Sequence, residues 1–219
     1  MQSAAVLSEV QADQRQAARY IPIIRTAKLI APAGEMLCVV RDVSATGLRI
    51  RLFSPLPTGA EMLLEFRNGE QQAVTMVWQK DDTVGLSFAN EINVARLLED
   101  GRMESRRSRP LRLNLEAKGL LHARGETRFA MVRDISQQGA HVECAIRLAV
   151  SEPIRFSLGS IAPITAKVRW RREGHYGLVF DQVFSFDELA QLTARLQGLP
   201  LLAIGPARAA DCWNERSDI

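Results

Sequence analysis

The chain has 219 residues, 47% of them hydrophobic and 24% charged, with a net charge of +3. That length holds two domains of about 90–110 residues, each with enough apolar material for a core of its own. An aromatic content of 6% argues against a base-stacking surface for single-stranded nucleic acid, and so small a basic excess suits a small anionic ligand better than a long phosphate backbone.

Residues 1–14 are small and polar and form an N-terminal arm. A first domain, 15–98, opens with Arg15-Gln16-Ala17-Ala18-Arg19. Helical or extended, this spacing puts the two arginines on one side. Short strands are predicted near 21–30, 35–40, 47–52, 60–66, 72–78 and 84–88, with breaks at Pro32-Ala33-Gly34, 55–59, Asn68-Gly69 and Asp81-Asp82. Asn68-Gly69 between two strand-like runs is a strong hairpin signal. Short strands joined by close turns imply a small antiparallel barrel or sandwich. Asn90 is placed to cap a short helix through Leu98, with Leu97 and Leu98 on its buried side.

An arginine-rich linker, 99–109, follows, and its basic run of Arg102, Arg106, Arg107 and Arg109 continues to Arg112. A second domain, 110–198, repeats the strand order near 111–122, 127–132, 139–146, 153–158, 164–171 and 176–180. Ser185-Phe186-Asp187-Glu188 reads as a capping box opening a helix. Phe186, Leu189, Thr193 and Leu196 share one face of it and Gly198 ends it. The tail, 199–219, has little periodicity and is either held by packing on a barrel or loose.

The cysteines, Cys38, Cys144 and Cys212, are scattered, which indicates neither a zinc site nor a disulfide framework. Cys38 and Cys144 fall in apolar strand patterns and read as core. His122, His141 and His175 show no metal-ligand spacing and read as ordinary strand or loop residues. No apolar run approaches the ~18 residues of a membrane helix, and residues 1–14 lack the basic and apolar regions of a signal peptide. The expectation is a reduced, cytoplasmic protein without membrane insertion.

The chain is organised around Arg41-Asp42-Val43-Ser44-Ala45-Thr46-Gly47, which returns as Arg133-Asp134-Ile135-Ser136-Gln137-Gln138-Gly139, an offset of 92 residues (134 − 42). Val77-Trp78 recurs as Arg169-Trp170, and Val84-Gly85-Leu86-Ser87-Phe88 as Tyr176-Gly177-Leu178-Val179-Phe180, at the same offset. Landmarks in phase over so long a period mean two copies of one small domain rather than a solenoid. The shared R-D-[VI]-S-x-x-G lies between an apolar strand and an alternating one, so it occupies a strand-to-strand turn. Asp and Ser cap backbone N–H groups in turns, and Gly accepts positive φ. One copy alone is equally well a plain hairpin connection. No GxSxG, HExxH, Walker loop or spaced Cys–His pair is present, and no enzyme is expected.

Arg15-x-x-x-Arg19 followed by Asp42-x-Ser44-x-x-Gly47 resembles the PilZ domain, the bacterial receptor domain for cyclic di-GMP. The resemblance covers about 15–98 and again about 106–196. It implies two tandem six-stranded antiparallel β-barrels, all-β with short helices, each barrel followed by a helix. It implies no cofactor, cyclic di-GMP as ligand, and a first site of Arg15, Arg19, Asp42, Ser44 and Gly47. The chemistry agrees: an Arg fork matches phosphate oxygens and guanine O6 and N7 and stacks on purine faces, where Lys does not. Asp42 accepts guanine N–H groups, Ser44 bonds guanine or phosphate, and Gly47 admits close approach or sets the turn.

The second copy keeps Asp134, Ser136 and Gly139, but its arginines depart from the pattern. Arg106-x-x-Arg109 is one residue short, and Arg102-x-x-x-Arg106 has the right spacing farther from the strand. The second site, Arg102, Arg106, Arg109, Asp134, Ser136 and Gly139, is therefore ranked below the first. The resemblance implies a non-catalytic receptor that changes domain arrangement or a contact with a downstream protein, in motility or biofilm polysaccharide control. The alternative is a PilZ-like adaptor that works through protein contacts without nucleotide. A nucleic-acid partner is not expected.

Overall fold

The computed structural model describes residues 25–56, 59–95, 97 and 110–202. The N-terminal arm, Arg15, Arg19, the linker arginines Arg102, Arg106, Arg107 and Arg109, Cys212 and the tail from 203 lie outside the described residues.

The first half contains β1 (Arg25–Ala31), β2 (Gly34–Val43), β3 (Gly47–Arg51), β4 (Glu61–Phe66), β5 (Gln71–Lys80) and β6 (Thr83–Phe88). They form a closed antiparallel barrel in the order β1-β2-β3-β6-β5-β4, with β4 returning to β1. The second half contains β7 (Leu113–Ala123), β8 (Glu126–Ser136), β9 (Gly139–Cys144), β10 (Pro153–Leu158), β11 (Ile164–Arg172), β12 (His175–Phe180) and the helix α1 (Phe186–Leu196). Its strands close in the matching order, β7-β8-β9-β12-β11-β10. The expected pair of six-stranded barrels is what the chain forms.

Alternation builds both walls. Along β7, Leu113, Leu115, Ala117, Leu121 and Ala123 are buried, while Asn114, Glu116 and Lys118 face out. That period of two is what a sheet with one wet face requires. Asn68-Gly69 turns between β4 and β5 as expected, with Gly69 at φ 86° and its N–H donating to the Phe66 carbonyl. At the end of the first barrel, helical conformation begins at Val94, and the Leu97 N–H bonds the Asn93 carbonyl. The cap position is therefore Asn93, not Asn90. The chain needs those intervening residues to cross the barrel end, where the Ile92 N–H is tied to the Ala45 carbonyl. The capping box of α1 is present: Ser185 Oγ accepts the Glu188 N–H and Glu188 Oε2 accepts the Ser185 N–H at 2.9 Å. Hydrogen bonding to the Ser185 hydroxyl, and then to the Ser185 backbone N–H, holds the Glu188 carboxyl below the usual range.

The barrels are bolted together through polar contacts flanked by apolar ones. Lys28 is buried, with Nζ 3.1 Å from Glu35, 3.5 Å from Glu65 and 3.0 Å from the Arg112 carbonyl of the second half. Glu35 accepts the Asn114 backbone N–H at 2.7 Å and its Nδ2 at 2.8 Å. Gln197 brackets the Glu35 backbone with both ends of its amide, each at 2.9 Å. Beside this, Leu37 and Phe53 of the first barrel pack into the core of the second, with Phe53 6.0 Å from Phe186. Leu199 and Leu202 of the tail pack on the first barrel, and the Leu202 N–H bonds the Phe53 carbonyl. Among the described residues no helix is long and apolar enough to cross a membrane.

Cys38 is completely buried, and that burial pushes its thiol up to about 12, against a partial lowering by a backbone bond at Ala27. A thiol raised on folding favours the fold at pH below its unfolded value, and this is lost as pH climbs through the folded one. At pH 8 iodoacetamide is therefore expected to alkylate Cys38 only after denaturation, read by peptide mass spectrometry. Labelling of the native chain at a free-thiol rate would contradict this packing.

Candidate functional site

The repeated motif divides its labour. At the turn, the Ser44 N–H donates to the Gly47 carbonyl at 2.7 Å, while Ser44 Oγ donates to that carbonyl at 3.1 Å and accepts the Gly47 N–H at 3.2 Å. In the second copy Ser136 Oγ donates to the Gly139 carbonyl at 3.2 Å and accepts the Gln138 N–H at 3.4 Å. The two variable positions fasten the chain leaving the barrel: Thr46 and Ala45 carbonyls accept Phe88 and Ile92, and Gln138 and Gln137 carbonyls accept Phe180 and Phe184. Serine is thus the clamp of the turn.

Glycine serves the turn for a reason other than the expected one. Gly47 and Gly139 are not at positive φ. Instead a Cβ on either would collide with a backbone carbonyl of the next strand, Leu86 or Leu178. Close strand approach, not left-handed backbone, demands the residue.

Aspartate takes part in a different structure. Cys38 and Val40 face the core, and strict alternation would send Asp42 inward after them. A bulge between Val40 and Asp42 inserts Arg41 and reverses the parity, so Val43 enters the core and Asp42 turns to the outer face. The second copy repeats this, with Arg133 as the extra residue, Ile135 inward and Asp134 outward. Bulges before Trp78 and Trp170 act likewise in β5 and β11. The result is one row across four strands of each barrel: Asp42, Arg49, Gly85 and Trp78 in the first, Asp134, His141, Gly177 and Trp170 in the second. Each indole lies over the glycine beside it, where a Cβ would fall into the ring. Each Trp remains 42% exposed.

The rows carry different charge. The Asp42 carboxylate accepts both Nε and Nη2 of Arg49. Asp134 accepts Arg112 Nη1 and lies 3.2 Å from His141 Nδ1. His141 Nε2 is 3.1 Å from His175 Nδ1, and its ring is 5.3 Å from that of Trp170. Arg133 grips Glu143 at 2.6 Å and Glu116 at 2.5 Å. That bond, more than the nearby imidazoles, holds the Glu143 carboxyl below its ordinary range. A recess of about 170 Å³ opens here, lined by Pro110, Arg112, Gly139, His141, Arg169 and Trp170 among others. It offers guanidinium donors, an indole face and an imidazole, and the Asp134 carboxylate holds two of its lining residues, Arg112 and His141. A pocket below the several hundred Å³ of whole-ligand sites suits one base or phosphate of a larger molecule.

Of the residues named from sequence, Asp42, Ser44 and Gly47 come together, as do Asp134, Ser136 and Gly139. Arg15, Arg19, Arg102, Arg106 and Arg109 lie outside the described residues. Sequence reasoning missed Arg49, Arg112, His141 and His175 as neighbours of the aspartates. Trp78 and Trp170, with Gly85 and Gly177, carry a usable signal in their shared offset, which in the sequence marks only the repeat.

Duplicated closed barrels with an aspartate turned outward beside a serine-clamped turn define one small β-barrel domain used twice in one chain. The model of the PilZ domain matches residues 13–100 and 102–198, and the chain belongs to the PilZ family. Solved structures similar to it include Borreliella burgdorferi PlzA in complex with c-di-GMP, at 14% identity and a TM-score of 0.34, covering 77% of this chain and 86% of that one. Bacillus subtilis inhibitor of motility (MotI/DgrA) is 14% identical at a TM-score of 0.33, with coverage of 78% and 95%. Escherichia coli YcgR in complex with c-di-GMP is 13% identical at 0.28, with coverage of 80% and 83%. No curated protein matches.

Replacing Gly139 tests the turn. Gly139→Ala is expected to destabilise the chain by about 1–3 kcal/mol, the usual cost of overpacking, seen as a lowered thermal midpoint. An unchanged midpoint would mean that the Leu178 carbonyl is not in its way.

Proposed function

We propose that the chain is a non-catalytic receptor for cyclic di-GMP, controlling motility or biofilm polysaccharide through a ligand-dependent change in domain arrangement or protein contact. The observation that carries this reading is the outward aspartate in each barrel, Asp42 and Asp134, in one cross-strand row with an exposed indole two strands beyond its neighbour and in a motif preceded by arginines. In the first site Asp42 accepts guanine N–H groups once Arg49, a half-exposed side chain, swings from carboxylate to phosphate. Arg15 and Arg19 close over the ligand. Ser44 and Gly47 contribute by fixing the turn that aims Asp42. In the second site Asp134, Arg112 and the linker arginines Arg102, Arg106 and Arg109 play these parts, with Ser136 and Gly139 holding the turn.

Arg112 supplies a route from ligand to domain arrangement. Its side chain rests on Asp134 while its carbonyl is held by Lys28 of the other barrel. A ligand that draws Arg112 away from Asp134 shifts the strand entry to which Lys28 is bonded. The second reading, a nucleotide-free adaptor, has its own support: both serines are spent on the turn and both aspartates are already paired.

Calorimetric titration with cyclic di-GMP decides between these. Heat with a defined stoichiometry supports the receptor; a flat titration of folded protein favours the adaptor. Arg15→Ala or Arg19→Ala is expected to weaken binding roughly tenfold or more, the size of a lost charge-assisted bond. Asp42→Ala should remove most high-affinity binding and Asp134→Ala less, with melting temperatures compared first. The reverse order would make the second barrel the main site. Hydrogen exchange of 99–112 should slow on saturation with ligand, and equal exchange would remove the linker and Arg112 from the mechanism.

A further inference from the structure

We infer that the outer face of β10 and β11 is a separate interaction surface, one that takes the phosphodiester backbone of a nucleic acid. This goes beyond the receptor reading; the surface borders the candidate recess and shares Arg169 with it, while Arg155 and Lys167 lie outside that recess. The observation is a difference between the two copies. The second barrel has Arg155, Lys167, Arg169, Arg171 and Arg172 where, at the offset of 92, the first has Leu63, Thr75, Val77, Gln79 and Lys80. All five cations are exposed; Arg155, Lys167 and Arg172 stand on the outer face, Arg169 is the extra residue of the β11 bulge, and Arg171 has the phase of its partner Tyr176 and emerges at the barrel end. Residues 110–198 contain 12 basic and 9 acidic residues, against 8 and 8 for residues 25–97. The modest excess of the whole chain therefore averages over a neutral barrel and a basic one, and the composition argument against a phosphate backbone applies only to the average.

These cations are also unspent. Arg49, Arg51, Arg112, Arg124, Arg128 and Arg133 all hold carboxylates. Among the described residues the side chains of Arg155, Lys167 and Arg169 have no hydrogen-bond or ion-pair partner. Arg171 donates to the Leu148 carbonyl at 3.2 Å, and Arg172 stands 4.0 Å from the equally exposed Glu173. Acidic groups lie only at the ends of the face: Glu173 in the turn, and Asp181, whose N–H bonds the Thr165 carbonyl. Glu152 beside β10 is taken by Arg124 at 2.5 Å.

Spacing selects the partner. At about 3.3 Å per residue, Lys167 and Arg169 are roughly 7 Å apart and the line to Arg172 is roughly 17 Å long. A duplex presents one phosphate per ~3.4 Å of axis on each strand, so long flexible cations at about twice that interval reach phosphates about two base steps apart without a shaped pocket. An acidic protein would need an apolar centre to the interface. The exposed apolar residues of this face are Trp170, covered on one side by Gly177, and Val179.

The test uses the full chain and a fluorescein-labelled 20-base-pair duplex, with the corresponding single strand and polyglutamate as further arms. Anisotropy at about 50–200 mM KCl is expected to show binding to nucleic acid, with log K falling against log salt at a slope of about −3 for three to four phosphate contacts. Arg155→Glu/Lys167→Glu should lower affinity at least tenfold and flatten the slope by about 2. Reversal of two exposed cations on the first barrel, Arg67→Glu/Lys80→Glu, should change affinity less than twofold. Circular dichroism and the melting temperature confirm that both variants fold. Absence of binding to either nucleic-acid form at low salt overturns the proposal, as does binding that survives the Arg155/Lys167 reversal. Polyglutamate binding as tight as the duplex also overturns it, in favour of an acidic protein.

Discussion

One extra residue in β2, repeated in β8, sets which face of the barrel wall carries the aspartates, Asp42 there staying buried at 8% exposure. Strand alternation is strict, and a carboxylate in phase with Cys38 and Val40 would be driven into an apolar interior at a cost of several kcal/mol. The bulges at Arg41 and Arg133 release that conflict by turning the strand over. The same device in β5 and β11 brings Trp78 and Trp170 out to meet the aspartates across two intervening strands. Everything polar in the candidate sites follows from these four local changes of phase.

The barrels themselves were legible because their strands alternate and their turns are chemically marked: Asn68-Gly69, the Ser185 capping box and the inward leucines of β7 all behave as patterned. The motif was legible because it occurs twice. Its division was not. The sequence leaves Ser44 and Gly47 as either ligand groups or turn chemistry; in the structure their bonds serve the turn, because a hydroxyl three residues before a close strand crossing has a backbone carbonyl at hand. Bulges leave little trace in a hydrophobic pattern, so the partners of Asp42 and Asp134 could not be read from spacing. His141 and His175 are 34 residues apart and meet only because β9 and β12 pair.

The copies agree in architecture and differ in charge. Arg49 sets a guanidinium against the aspartate of the first row; His141 sets an imidazole against that of the second. The second barrel also bears the basic face of β10 and β11, while the first bears the buried Lys28 that couples the two. Duplication here preserved the wall and freed its outer surface to diverge.

Closure has a further consequence. Each sheet returns its last strand to its first, so neither offers a free row of backbone N–H and C=O groups. A partner peptide cannot lengthen these sheets as an added strand, the route open to many small β domains. Recognition must fall to side chains on the barrel faces or ends. Specificity in this chain therefore rests on residue identity at outward positions, which substitutions can alter one at a time without disturbing the hydrogen-bonded wall beneath.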